Sequence, residues 1–478
     1  MENASVLFKR IMLGVLLALL ALTLLLMVGE GLRAPSYLLA MAAGALWRGG
    51  LIALRRRRGR LLPTGGGQRA ALLVCALCFA VNLVWVLAVR IEPFSDYETY
   101  WQVACALADG TEIPTAWYIA MYPHILGTAS FLSVFVRLFG PSVLAVSVVN
   151  VALTTVSCLL LYLLTREFAY EEAALLAALL WALDPCKTML NSLVFSEPLY
   201  TCLILLFLWL AVRLDGRWQR GEGGLAAAPL WGIALGLTLC AVNIVRPIAL
   251  ILVIALVLWL LFLRGDEARS GALWKRWGLA LAALLCVYAL GGKLWDRHVE
   301  DTLGMEPAAV PVYNIYVGFN EQTQGQWSAE DMDLLFSYLE QGMTTSEAQN
   351  SMIPHLKERL SSGIDFARLL RSKLIAFLGN DELGGYTYRF TRSERFYKLG
   401  MVVGNVFYYG VFFAMLAALL RRFCSRELGA WQLLPLFVLG LTLAHMGVEV
   451  ANRYHYSIIP IFIVFAALEF TGEGRSTT

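Results

Sequence analysis

Asp96 and Glu98 stand in the stretch Pro93-Phe94-Ser95-Asp96-Tyr97-Glu98, just beyond an apolar run at 70–89. Carboxylates are costly in hydrocarbon, so those kept at a membrane face among aromatic rings point to ligand binding or catalysis. Ser95-x-x-Glu98 matches a helix capping box, which assigns Glu98 a structural role and leaves Asp96 free in the first turn of a helix running to about Asp109. Glu197, in Ser196-Glu197-Pro198, is a second carboxylate with apolar neighbours, suited to a reaction or to a buried ion pair. Arg246, in the tight turn Asn243-Ile244-Val245-Arg246-Pro247, carries a planar fork of donors that matches phosphate, or else snorkels to lipid headgroups. Met121-Tyr122-Pro123-His124 places a tyrosine and a histidine at the start of another apolar helix. The last polar turn holds His445, Glu449, Asn452, Arg453, His455 and Tyr456. Glu449 and Arg453, four apart, match the spacing of a pair on one helix face. One free carboxylate with two arginines suits removal of a proton from a hydroxyl beside a departing phosphate. Should a divalent cation (Mg or Mn) take part, Asp96, Glu98 and Glu197 are the hard ligands at hand.

These residues must be positioned by helices in a membrane. The chain has 478 residues, 59% hydrophobic and 15% charged, too little charge to cover a soluble protein of this size. Its net charge of +3 gives no reason to expect nucleic acid. Run length predicts an all-α polytopic protein with about twelve spans, near 11–28, 36–54, 70–89, 142–164, 172–188, 193–213, 227–243, 247–264, 276–292, 398–420, 431–447 and 456–471. The first run is expected to be a retained span, since no small-x-small cleavage site follows it. Lys9-Arg10, Arg55 to Arg60, Arg213 to Arg220, Arg264 to Arg276 and Arg421 to Arg426 fall on one side, the cytoplasm by the positive-inside rule. All the polar clusters above then fall on the other side. His124 to Phe139 is expected to be a shallow or re-entrant helix on that outer face, because a full crossing there would invert every later loop. Nine cysteines form no disulfide framework, and Cys75-x-x-Cys78 lies inside a span, where small packing residues are common. The chain divides into two N-terminal spans with a basic linker (1–69), a transmembrane core with a first outer loop at 90–141 (70–292), a large outer loop region (293–397) and C-terminal spans (398–478). Within 293–397 helices are expected from Ala329 to Leu339 and from Ile364 to Phe377. The second is an interfacial amphipathic helix, with Phe366, Leu369, Leu370, Leu374 and Phe377 on one face and Arg368, Arg371 and Lys373 among the remainder.

At these motifs the chain resembles the GT-C superfamily of membrane glycosyltransferases, in the branch of the protein O-mannosyltransferases and aminoarabinose transferases (glycosyltransferase family 39-like). Asp96 falls in the first outer loop, where that family carries its acidic base. Tyr122-Pro123-His124 is similar to the family's Tyr-Pro-Pro, and Leu138-Phe139-Gly140 stands after it as the family pattern requires. Ser196-Glu197 is similar to its second acidic outer turn, and Glu449 through Arg453-Tyr454 with Pro460 to its closing Arg-Tyr-x-x-Pro. Pro311 to Asp331, with Val317-Gly318-Phe319-Asn320, is similar to a segment of bacterial members that carries no assigned role. The resemblance implies an inverting transfer of a sugar from a polyprenyl-phosphate carrier to a hydroxyl of a glycan, lipid or protein acceptor, at the extracytoplasmic face of the cell membrane. In that scheme Asp96 and Glu197 are catalytic, Arg246, Arg453 and His124 bind phosphate, and Tyr122, Glu449 and His455 bind substrate. Asp96 and Glu98 would hold a cation if one is used, although Asp-x-Glu departs from the family's Asp-Glu or Asp-x-Asp. A flippase or other transporter of lipid-linked saccharides, and a polymerase or ligase of surface polysaccharide, are the competing readings. A transporter is expected to spread charge along a midplane path, whereas here it gathers at one face.

Overall fold

A computed structural model describes residues 2–62, 65–264, 271–308, 311–382 and 393–471. Part of the basic linker Arg264 to Arg276 and part of the loop region 293–397 lie outside the described residues. Among the described residues every regular element is helical, and ten helices are long and apolar enough to cross a membrane. The other two expected spans are shorter. The stretch 172–188 is broken into Glu171–Ala182 and Pro185–Leu190. Pro185 cannot continue a helix, and Asp184 caps the second piece by accepting from the amides of Cys186 and Lys187 at 2.9 and 3.2 Å. The stretch 247–264 becomes Ala249–Leu258 followed by a wider turn, Trp259–Leu263. His124–Phe139, at 16 residues, is likewise shorter than the ten helices long enough to cross.

The N-terminal helices Glu2–Arg33 and Pro35–Arg58 form a hairpin that packs on Glu394–Cys424. Gly44 makes this possible, since a Cβ there would lie 2.8 Å from the backbone nitrogen of Gly410. Cys75 and Cys78 are free thiols buried in the helix Gly67–Ala88, in keeping with a packing role.

Charge divides the bundle into two ends. At one end Lys9 donates to the carbonyls of Ser425 and Glu427, Arg48 and Arg421 share Glu469, and Arg264 pairs with Asp215 at 2.7 Å. These are the basic loops assigned above to a common side. The opposite end carries the outer-loop helices, including Asp96–Asp109, Val312–Gly318, Ala329–Glu340, Thr345–Ser361 and Phe366–Leu374. In the last of these the expected apolar face is split. Leu369, Leu374 and Phe377 are buried against the protein, while Phe366 and Leu370 stay exposed. Lys373 does not sit on a solvated face. It is buried and donates to the carbonyls of Gly318 and Val448 at 2.8 and 2.7 Å.

Candidate active site

Asp96 opens the helix Asp96–Asp109, but without the expected capping box. Ser95 adopts a left-handed φ of 52°, its side chain caps nothing, and Glu98 points outward to accept from Gln102 at 3.1 Å. The turn after Pro93 therefore aims Asp96, not Glu98, across the molecule, where its carboxylate pairs with Arg453. Arg453 comes from Asn452–Ile458, a 3-10 turn held by Asn452, whose amide donates to the Asn380 carbonyl at 2.7 Å. Arg246 leaves the end of Ala228–Val245 in an extended conformation before Pro247. Glu197 starts the helix Glu197–Gln219, with Pro198 accepted in the first turn, where the missing N–H costs nothing.

Glu197 lies 3.5 Å from Arg246 and 4.0 Å from Arg453, with its side chain 3% exposed. It thus holds two guanidinium groups side by side against their mutual repulsion. Tyr454 lies under both arginines, 4.9 Å from Arg246 and 5.6 Å from Arg453, while Tyr200 and Tyr97 each flank one of them. Glu449 does not pair with Arg453 as its spacing suggested. It sits in extended chain before the 3-10 turn and accepts from the Tyr454 hydroxyl at 3.3 Å. Burial pushes its carboxyl above the usual range, with Arg453 pulling the other way.

These side chains border a cavity of about 410 Å³. Asp96, Tyr122, His124, Arg246, Glu449 and Arg453 all line it, and Glu197 stands behind the arginines. Arg246 Nη2 and Arg453 Nε are the nitrogens turned to Glu197, at distances too long for a hydrogen bond in the second case and loose in the first. One flank of the cavity is apolar, formed by Leu250, Ile251, Ile254 and Leu441, of which Leu250 and Ile254 are also exposed on the outside of the bundle.

His455 is placed elsewhere. Its ring meets the Phe377 carbonyl at 2.6 Å and lies 3.6 Å from Asp381, in a cluster with Asp184, Cys186 and Lys187 on the far side of Arg453. The residues proposed for a cation also separate: Asp96 is taken by Arg453, Glu197 lies between two arginines, and Glu98 faces outward. With two of the three carboxylates neutralised by guanidinium groups and the third turned away, the set does not converge on a divalent ion. Among the described residues, the ligand atoms of Asp184, Cys186 and Asp381 do lie within 4.8 Å of one another, but the space they enclose is only about 10 Å³.

Several site residues escape the sequence reading. Tyr200 sits one turn after Glu197, a helical neighbour by spacing. Tyr118 and Tyr313, on short helices, and Trp327 line the cavity from segments whose place cannot be deduced from local pattern. The segment 311–331 acquires a role, for it holds the turn that carries Glu449. The amide of Glu449 donates to the Asn314 carbonyl at 2.8 Å and that of Val450 to the Gly325 carbonyl at 2.9 Å. Gly318 allows the approach, since a Cβ there would lie 2.5 Å from the Val448 carbonyl carbon. The segment is braced in turn by Asp331, which accepts from Asn320 at 2.9 Å and from both terminal nitrogens of Arg359.

Among curated proteins none matches the chain. Its fold is similar to that of ArnT from Cupriavidus metallidurans bound to undecaprenyl phosphate, at 11% identity and a TM-score of 0.40, over 86% of this chain and 78% of that one. It is also similar to the oligosaccharyltransferase AglB from Archaeoglobus fulgidus, in complex with an inhibitory peptide and a dolichol-phosphate, at 15% identity and a TM-score of 0.44. That match covers 85% of this chain but only 50% of AglB. Residues 123–291, which include His124, Glu197 and Arg246 but not Asp96 or Arg453, match the family model for dolichyl-phosphate-mannose-protein mannosyltransferases. The protein is a polytopic helical membrane protein, and its resemblance to the GT-C glycosyltransferases holds over that segment.

Proposed function

We propose that the protein is an inverting glycosyltransferase that moves a sugar from a polyprenyl-phosphate carrier to a hydroxyl acceptor at the extracytoplasmic face of the membrane. The observation that carries this reading is a single cavity lined by two arginines, Arg246 and Arg453, beside the carboxylate of Asp96. A carrier phosphate would accept from the two guanidinium groups, with its chain along the apolar flank at Leu250 and Ile254. The acceptor hydroxyl approaches from the opposite side of the sugar and gives its proton to Asp96. Its oxygen bonds to the anomeric carbon as the bond from that carbon to the phosphate oxygen breaks, leaving polyprenyl phosphate. Charge builds on the departing phosphate, and the two arginines, fixed by Glu197, stabilise it with little reorganisation. Glu197 is then a positioning residue. The basic loops gathered at the other end support an extracytoplasmic site through the positive-inside rule. No step requires a cation.

The decisive experiment is Asp96→Asn in native membranes supplied with carrier bearing a radiolabelled sugar. Transfer to the acceptor fraction is expected to fall to background while the protein level holds. Transfer at close to the wild-type rate would exclude Asp96 as the base.

A further inference from the structure

A second cationic site lies outside the cavity and shares no residue with it. The first span ends at Arg33, on the same end of the bundle as the cavity, and the interfacial helix Phe366–Leu374 lies beside it. Between them is a groove of about 340 Å³ lined by Glu30, Arg33, Gln324, Arg368, Arg371 and Ser372. Glu30 is shared by Arg33 at 3.3 Å and Arg371 at 3.4 Å, and Arg368 has no ion-pair partner among the described residues. One carboxylate thus faces three guanidinium groups, a surplus of positive charge. Ile375, one turn beyond Arg371, completes the groove with an apolar side chain. The end of a transmembrane span marks the headgroup level, where exposed apolar side chains reach acyl chains and arginines reach phosphates.

We propose that this groove binds the phosphodiester headgroup of an anionic membrane lipid. Free phosphate would use the arginines alone; a groove that opens where a transmembrane span ends, with Ile375 in its lining, favours a ligand that brings its own hydrocarbon. The inference does not depend on the glycosyltransferase reading, since none of these residues lines the cavity.

Native mass spectrometry of the detergent-purified protein, exposed to equimolar phosphatidylglycerol and phosphatidylcholine, tests it. The wild type is expected to retain phosphatidylglycerol in preference, and the double variant R368Q/R371Q to lose that preference by about tenfold, given what each basic residue contributes at an anionic surface. R33Q, on a different helix, is expected to give a smaller loss and guards against a fault confined to the interfacial helix. Phosphatidylglycerol retention unchanged in both variants would overturn the proposal. So would its full displacement by millimolar inorganic phosphate, which would reassign the groove to the free anion.

Discussion

Arg453 stands between two polar clusters that differ in what they leave unfilled. On one side, Asp96, Arg246 and Glu449 border about 410 Å³ of space. On the other, Asp184, Lys187, Asp381 and His455 close around about 10 Å³. There Lys187 donates to the Trp181 carbonyl, and the Asp184 carboxylate accepts from two backbone amides. Both clusters bury carboxylates and cations near one membrane face. Burial of charge therefore does not distinguish them; room does.

Substitutions can break this contrast. The largest effect is expected from Asp96→Asn, with transfer falling by about 10²–10⁴-fold, the usual contribution of a general base, and little change in thermal midpoint. Arg246→Gln should lower turnover by about 10²–10³-fold, as loss of a transition-state charge partner does, measured with saturating donor. On the opposite side, Lys187→Met should destabilise the fold by about 3 kcal/mol, because it removes a buried cation packed among the buried carboxylates of Asp184 and Asp381. Thermal unfolding reads that loss, and the rate per folded molecule should be preserved; a rate loss as deep as that of Asp96→Asn would join the two clusters into one site. Lys373→Met strands the buried carbonyls of Gly318 and Val448, a cost of about 1–3 kcal/mol for an unsatisfied group, and should lower both thermal midpoint and turnover. Glu98→Gln should change stability by no more than about 0.5 kcal/mol, and transfer should stay near the wild-type rate, since the side chain faces solvent.

Much of the cavity is legible in the sequence because its residues sit at the ends of apolar runs. Asp96, His124, Glu197, Arg246, Glu449 and Arg453 each follow or precede a span, and sidedness read from arginines elsewhere gathers them at one end. Direction within a turn is not legible in the same way. Alpha-helical spacing pairs Glu449 with Arg453, but Asn452–Ile458 is a 3-10 helix with three residues per turn. Tyr454 and Ser457 therefore share the cavity side, while Asn452 and His455 share the other. His455, two residues from a site arginine, is turned away for this reason. The Ser95-x-x-Glu98 pattern fails similarly: it is a capping box only when the serine adopts extended backbone, and here φ is positive. The helix break at Asp184 is hidden in the sequence because Pro185 lies within an apolar run long enough to span.

The way the outer loop reaches Glu449 has a consequence for how the protein can change. Asn314 and Gly325 hold that turn through carbonyl oxygens, which every residue type supplies. The neighbouring side chains of Tyr313, Trp327 and Met332, which face the cavity, are not needed for those bonds. Main chain holds the Glu449 turn in place while side chains of the same segment remain free to be replaced. A loop built this way can be altered on its cavity side without disturbing the turn it holds.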